Sequence, residues 1–313
     1  MSRAFVFPGQ GSQAVGMGRE LADTFPAARE VFAEIDDALG QNLSGLMFEG
    51  PEQELTLTAN AQPALMAVSL AVIRVLEKEA GLDLKRHVAF VAGHSLGEYS
   101  ALAAASAFGI ADAARVLKRR GIAMQRAVPV GVGAMAALLG LDLDTARAVA
   151  QVAAQGEVCD VSNDNCPGQV VVSGHRAAVE RAMTEASARG ARRPTLLAVS
   201  APFHCALMSP AADEMKAALA EIPVAAPTVP LIANVTASPV SDPAAIRSLL
   251  VEQVTSLVRW RESVLAMKER GVTALVEIGS GKVLTGFAKR IDRDLALANV
   301  AAPADIDALA KSL

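Results

Sequence analysis

The sequence predicts an α/β protein, and three observations carry that prediction. Apolar runs bounded by Gly or Pro stand at residues 4–7, 88–92, 230–235 and 272–278, the pattern of strands buried on both faces of a parallel sheet. Helical stretches lie between them, the alternation that builds helix-covered sheets. From about residue 133 to 199 the texture shortens into units that read βαββαβ, a ferredoxin-like order.

Taken in order, residues 4–7 form the first strand, closed by Pro8, and helices follow at 28–39 and 63–79 with Pro63 at a first helical position. The stretch 64–73 is the most apolar of the chain, but Arg74, Glu77 and Lys78 end it. It reads as a buried helix, too short for a membrane span. The strand at 88–92 leads into an Ala-rich helix at 97–105 and a helix at 110–125. The shorter units are strand 134–141, helix 142–155, strand 158–162, strand 169–173, helix 177–189 and strand 195–199. Asn165 to Gln169, reading NCPGQ, turn the middle hairpin. A helix at 211–221 and the last two apolar strands complete the chain. The domain reading is therefore a large α/β-hydrolase-like domain with a short parallel sheet, residues 1–127 and 200–313, interrupted by a ferredoxin-like subdomain at 128–199. Ligands are often held at such junctions.

Composition narrows the function classes. With 313 residues, 52% hydrophobic and 20% charged, the chain is neither disordered nor a disulfide scaffold. Its 29 basic and 33 acidic residues give a net charge of -4, so no global field draws nucleic acid or an anionic membrane, and an acidic partner would need a local basic patch. Cys159, Cys166 and Cys205 form no C-x-x-C pair and no zinc-like spacing with the histidines. The expectation is a reducing cytoplasm and no metal. The apolar run before Pro8 is too short for a signal-peptide core.

The strongest local signal is Gly93-His94-Ser95-Leu96-Gly97 between a strand and an Ala-rich helix. A nucleophile elbow has this context: glycines permit the sharp turn, the serine hydroxyl projects at the sheet edge, and the helix N-terminus favours developing negative charge. A serine serving only as helix cap is the competing reading. A serine nucleophile needs a base. His94 adjoins it in the turn, His87 opens the strand at its far end, and His175 starts a helix in the small unit. His204, in the loop SAPFHCALMSP where the chain returns to the large domain, is the best candidate, with a structural histidine the alternative. Pro8 to Gln13 supply a Gly-rich loop at the same sheet edge. GQGSQA fits the dinucleotide pattern G-x-G-x-x-A, but no second strand ending in an acid follows. The other reading places backbone amides of this loop, with that of Leu96, around an oxyanion.

FPGQGSQ at 7–13, GHSLGEYSAL at 93–102, Arg120-Gly121 with Met124-Gln125, NCPGQVVVSG at 165–174, APFHCALM at 201–208 and GSGKVLTGFAKR at 279–290 together resemble the malonyl-coenzyme A:acyl carrier protein transacylases of fatty acid synthesis. The resemblance runs from Phe5 to about Arg293. It implies a Ser-His dyad of Ser95 and His204, oriented by the main-chain carbonyl of Gln253, with the amides of Gln10 and Leu96 as oxyanion hole. It implies that Arg120 grips the malonyl carboxylate, that Asn165 lines the pocket if it is more than a turn residue, and that Phe203 limits room at the acyl α-carbon. The Arg120 role is physically apt, since malonyl differs from acetyl by one carboxylate and a guanidinium can bind both its oxygens. The implied partners are coenzyme A thioesters and an acyl carrier protein, with no resident cofactor. The alternatives are the transacylase subunit of a malonate decarboxylase, a polyketide-pathway malonyltransferase, a serine hydrolase, or a carrier-docking subunit without catalysis.

Overall fold

In the computed structural model, which describes residues 2–313, the predicted apolar runs become the centre of a six-stranded sheet. The strands are β1 (Arg3–Phe7), β2 (Phe90–Gly93), β3 (Gly133–Leu139), β4 (Cys159–Cys166), β5 (Gln169–His175), β6 (Thr195–Leu196), β7 (Leu231–Ala233), β8 (Ser238–Val240), β9 (Ala274–Ile278) and β10 (Ala296–Val300). The first sheet has the order β10-β9-β1-β2-β7-β8, parallel except for β8, which returns antiparallel on β7. Every residue of β1 is buried, as a strand with helices on both faces requires. Phe7 pairs with Gly93. This register brings the loops that follow β1 and β2 to one edge.

The second sheet, β4-β5-β3-β6, is antiparallel and has its own apolar cluster, in which Ala136, Leu138 and Val172 meet Val149 and Val179 from two helices. Main-chain bonds stitch it to the first sheet's side: Val258 donates its N–H to the Ser162 carbonyl (2.9 Å) and accepts from the Asp164 amide (3.0 Å). Arg261 adds an ion pair to the buried Asp164 at 2.8 Å.

Two sequence expectations shift, and two strands appear that no apolar run announces. The helix placed at 63–79 spans Thr58–Glu79, because the Leu57 carbonyl already accepts from Asn60 and Ala61, and Pro63 sits inside it. One 18-residue window of that helix is apolar enough to cross a membrane, and 89% of the window is buried within the protein. The strand expected at 195–199 pairs only at Thr195 and Leu196. The edge strands β8 and β10 give no apolar run because each is partly exposed.

Candidate functional site

Ser95 stands on the turn between β2 and the helix Gly97–Ala104, with φ of 54°. That left-handed conformation is strained for a residue with a side chain and is kept only where its surroundings hold it. Asn234, just past β7, does the holding: its Oδ1 accepts from the Ser95 amide (2.8 Å) and its Nδ2 donates to the Gly93 carbonyl (2.7 Å). The two glycines are there for contact. A Cβ on Gly93 would come within 1.9 Å of the Gly97 carbonyl carbon, and one on Gly97 within 2.2 Å of the Phe7 oxygen. Helix and strand can approach this closely only without side chains. Gln10 and Leu96 both line the cleft, and neither main-chain amide has a hydrogen-bond acceptor among the described residues.

The Ser95 hydroxyl lies 2.7 Å from His204 Nε2, and His204 Nδ1 lies 2.8 Å from the Gln253 carbonyl. A carbonyl only accepts, so Nδ1 carries the proton and Nε2 presents its lone pair to the hydroxyl. Burial, and then the charge of Arg120, pull the His204 pKa down to about 3. The imidazole is therefore neutral at neutral pH, the form a base requires. His94 does not reach Ser95; its Nε2 meets Asn165 Oδ1 at 2.8 Å, tying the elbow to β4. His175 caps the helix Arg176–Ala188, and His87 ends a short helix before β2, both apart from the cleft.

Arg120 is fully buried at 1% exposure, on the helix Ile110–Ala127. Its guanidinium donates to Gln62 Oε1 (2.8 Å), Gln253 Oε1 (2.9 Å) and Ser95 Oγ (3.2 Å), and lies over the Tyr99 ring. All three acceptors are neutral. Burial lowers its pKa from the free value, yet an arginine stays charged in proteins. A buried cation with neutral partners is poised for an anion. Sequence reasoning missed Gln62, Asn234, the Gln253 side chain and Glu98. The signal for Glu98 was a carboxyl inside an otherwise uncharged helix, all eight residues of which are buried. Burial raises its pKa to about 8, against the opposing pull of the Asn234 amide, the Gln253 side chain and Arg120.

These groups meet at a cleft of about 320 Å³, lined by Gln10, Leu96, Arg120, Asn165, Phe203 and His204 among others. All eight candidate positions read from the sequence thus converge, Gln253 from just behind the wall.

Residues 4–301 match the family model for the acyl transferase domain. The chain belongs to the acyl transferase family. A relative from Salmonella typhimurium, the malonyl CoA-acyl carrier protein transacylase, is 47% identical over 305 residues, covering 97% of each chain. Among solved structures, the acyl-carrier-protein-S-malonyltransferase from Bartonella henselae is 56% identical with a TM-score of 0.98, over 100% of this chain and 99% of the other. A malonyl-transacylase solved in complex with a type II PKS acyl carrier protein is 44% identical with a TM-score of 0.96, over 100% of both chains. This acyl transferase therefore shares both sheets with malonyltransferases along its whole length.

Proposed function

We propose that this acyl transferase moves malonyl from malonyl-coenzyme A to the phosphopantetheine thiol of an acyl carrier protein for fatty acid synthesis, through a malonyl ester on Ser95. The observation that carries the reading is a buried Arg120, hydrogen-bonded only to neutral acceptors, in contact with a serine hydroxyl that is itself bonded to a neutral histidine. Ser95 Oγ attacks the thioester carbonyl as His204 Nε2 takes its proton, and the amides of Gln10 and Leu96 receive the oxyanion. The C–S bond breaks and His204 returns the proton to the leaving coenzyme A thiolate. The carrier thiol then attacks the ester, giving its proton to His204, which passes it to the departing Ser95 oxygen. Both half-reactions are redox-neutral, and His204 carries the one proton that moves in each. Arg120 binds the far carboxylate and fixes the acyl group for both half-reactions. Asn165 and Phe203 shape the pocket.

The finer organisation belongs to the same reading. Residues 128–199 form an inserted ferredoxin-like subdomain, supported by the order β4-β5-β3-β6 and a separate core, on an α/β-hydrolase-like domain of residues 1–127 and 200–313. A cytoplasmic location fits three unpaired buried cysteines.

Incubation with labelled malonyl-coenzyme A tests the proposal. The label should be trapped on Ser95, discharged by holo carrier protein faster than by water, and lost in Ser95→Ala. His204→Ala should slow trapping by about 10³-fold or more. Label retained by Ser95→Ala would move the nucleophile elsewhere, and discharge by water alone would make the protein a hydrolase.

A further inference from the structure

Glu98 is 1% exposed and does not line the cleft. It acts on the reaction through its neighbours, Gln253 at one carboxyl oxygen and the Asn234 main chain at the other, and the Gln253 branch leads to Arg120. Arg120 Nη2 can only donate, so the Gln253 amide must turn Oε1 toward it, at 2.9 Å. That orientation sends Gln253 Nε2 the other way, where it donates to Glu98 Oε2 and to the Ser95 carbonyl (3.0 Å). Glu98 Oε1 accepts from the Asn234 amide at 3.1 Å. Both carboxyl oxygens of Glu98 therefore face N–H donors, an arrangement that a protonated carboxyl also satisfies because its hydroxyl oxygen still accepts, and one end of the Gln253 amide is fixed by Glu98 while the other fixes Arg120. The main chain of Gln253 meanwhile holds His204.

We propose that Glu98 is a positioning residue for Arg120, acting through the side-chain amide of Gln253, and that it thereby sets the preference for acyl groups ending in a carboxylate. The inference rests on the reading of Arg120 as the carboxylate binder. A guanidinium whose supporting amide can turn or drift loses its bidentate aim, and malonyl depends on that aim while acetyl does not. A Glu98 that merely supported the fold would affect both substrates alike.

Glu98→Gln is the sharpest perturbation, because it keeps shape but replaces one acceptor oxygen by an NH2. Either the Asn234 amide or Gln253 Nε2 then faces a donor, and the chain breaks at one link. The experiment measures kcat/KM for malonyl- and acetyl-coenzyme A in wild type, Glu98→Gln, Arg120→Ala and the double variant. Glu98→Gln should lower the malonyl-to-acetyl ratio about 5- to 10-fold, the size of one lost hydrogen bond. In the Arg120→Ala background it should lower the ratio no further, since it acts through the missing group. Glu98→Asp keeps two acceptor oxygens but withdraws them by one methylene. Its ratio should fall between wild type and Glu98→Gln, and its dependence on Arg120 decides the matter alone if Glu98→Gln does not fold. An unchanged ratio, an equal fall for both substrates, or a shift that persists without Arg120 overturns the relay. If Arg120→Ala itself leaves the ratio unchanged, the carboxylate reading fails and the relay falls with it. If Arg120→Ala collapses the ratio and neither Glu98 variant moves it, the relay alone is wrong.

Discussion

On the proposed reading, Arg120→Ala removes a buried guanidinium from the place where malonyl and acetyl differ. In the free protein its loss leaves Gln62 Oε1 and Gln253 Oε1 without their donor, and each unsatisfied buried acceptor costs about 1–3 kcal/mol. The variant should therefore unfold at lower temperature, whatever it does to catalysis. In the acyl-enzyme the loss is selective. A charge-assisted contact to the malonyl carboxylate contributes about 1.5–3 kcal/mol, and at about 1.4 kcal/mol per factor of ten this lowers malonyl transfer roughly 10- to 150-fold. Acetyl makes no such contact and should hold steady or gain, because its methyl group no longer sits against an unpaired charge. Arg120→Lys should rescue poorly, since one ammonium cannot reproduce the planar fork that reaches Gln62, Gln253 and a carboxylate together. The assay is kcat/KM for both thioesters, with melting temperature recorded alongside. Equal losses for the two substrates would refute the reasoning and leave Arg120 as a structural cation.

Phe203, 8% exposed beside His204, should exclude an α-methyl group by overpacking worth about 1–3 kcal/mol; Phe203→Ser should raise methylmalonyl over malonyl turnover, and an unchanged ratio returns Phe203 to the core. The acid limb of Ser95 acylation should lie well below pH 6.5, because His204 stays neutral down to about 3 in the fold; a limb centred at 6.5, read from burst rates, would contradict this. The same depressed pKa predicts that stability falls as pH drops from about 6.5 toward 3, where the unfolded chain binds a proton that the folded one refuses; urea titrations at several pH values with His204→Gln as control measure it. Raising salt should raise KM for an acidic carrier protein if the exposed Lys289, Arg290 and Arg293, or Arg192 and Arg193 on the second sheet's side, steer docking; a salt-independent KM removes that role.

The sequence carried the parts of this molecule that are local. An apolar run bounded by Pro or Gly announces β1, β2, β7 and β9, and Gly-His-Ser-Leu-Gly announces the elbow, because each depends on neighbours in the chain. β10 was not legible, since its exposed and half-buried residues alternate at the sheet edge. The candidate base emerged by elimination among four histidines, and the roles of Gln253, Gln10 and Asn165 came from resemblance alone. The polar shell behind them was illegible. Gln62 lies 58 residues from Arg120 and Asn234 lies 139 from Ser95, and no periodicity encodes which distant amide will meet which buried donor.

Val258 gives the cleft a mechanical character. Its two main-chain bonds to Ser162 and Asp164, together with the Arg259 amide bonded to the Asn234 carbonyl at 3.1 Å, run from β4 to the residue that holds the nucleophile's turn. Prying the walls apart here would break these bonds and pull on the Arg261–Asp164 pair, so opening at this end costs several contacts at once. On the proposed reading, both thioesters enter a cleft whose walls are tied together at this end. The reach and flexing needed for turnover then belong to the pantetheine arm that each of them carries.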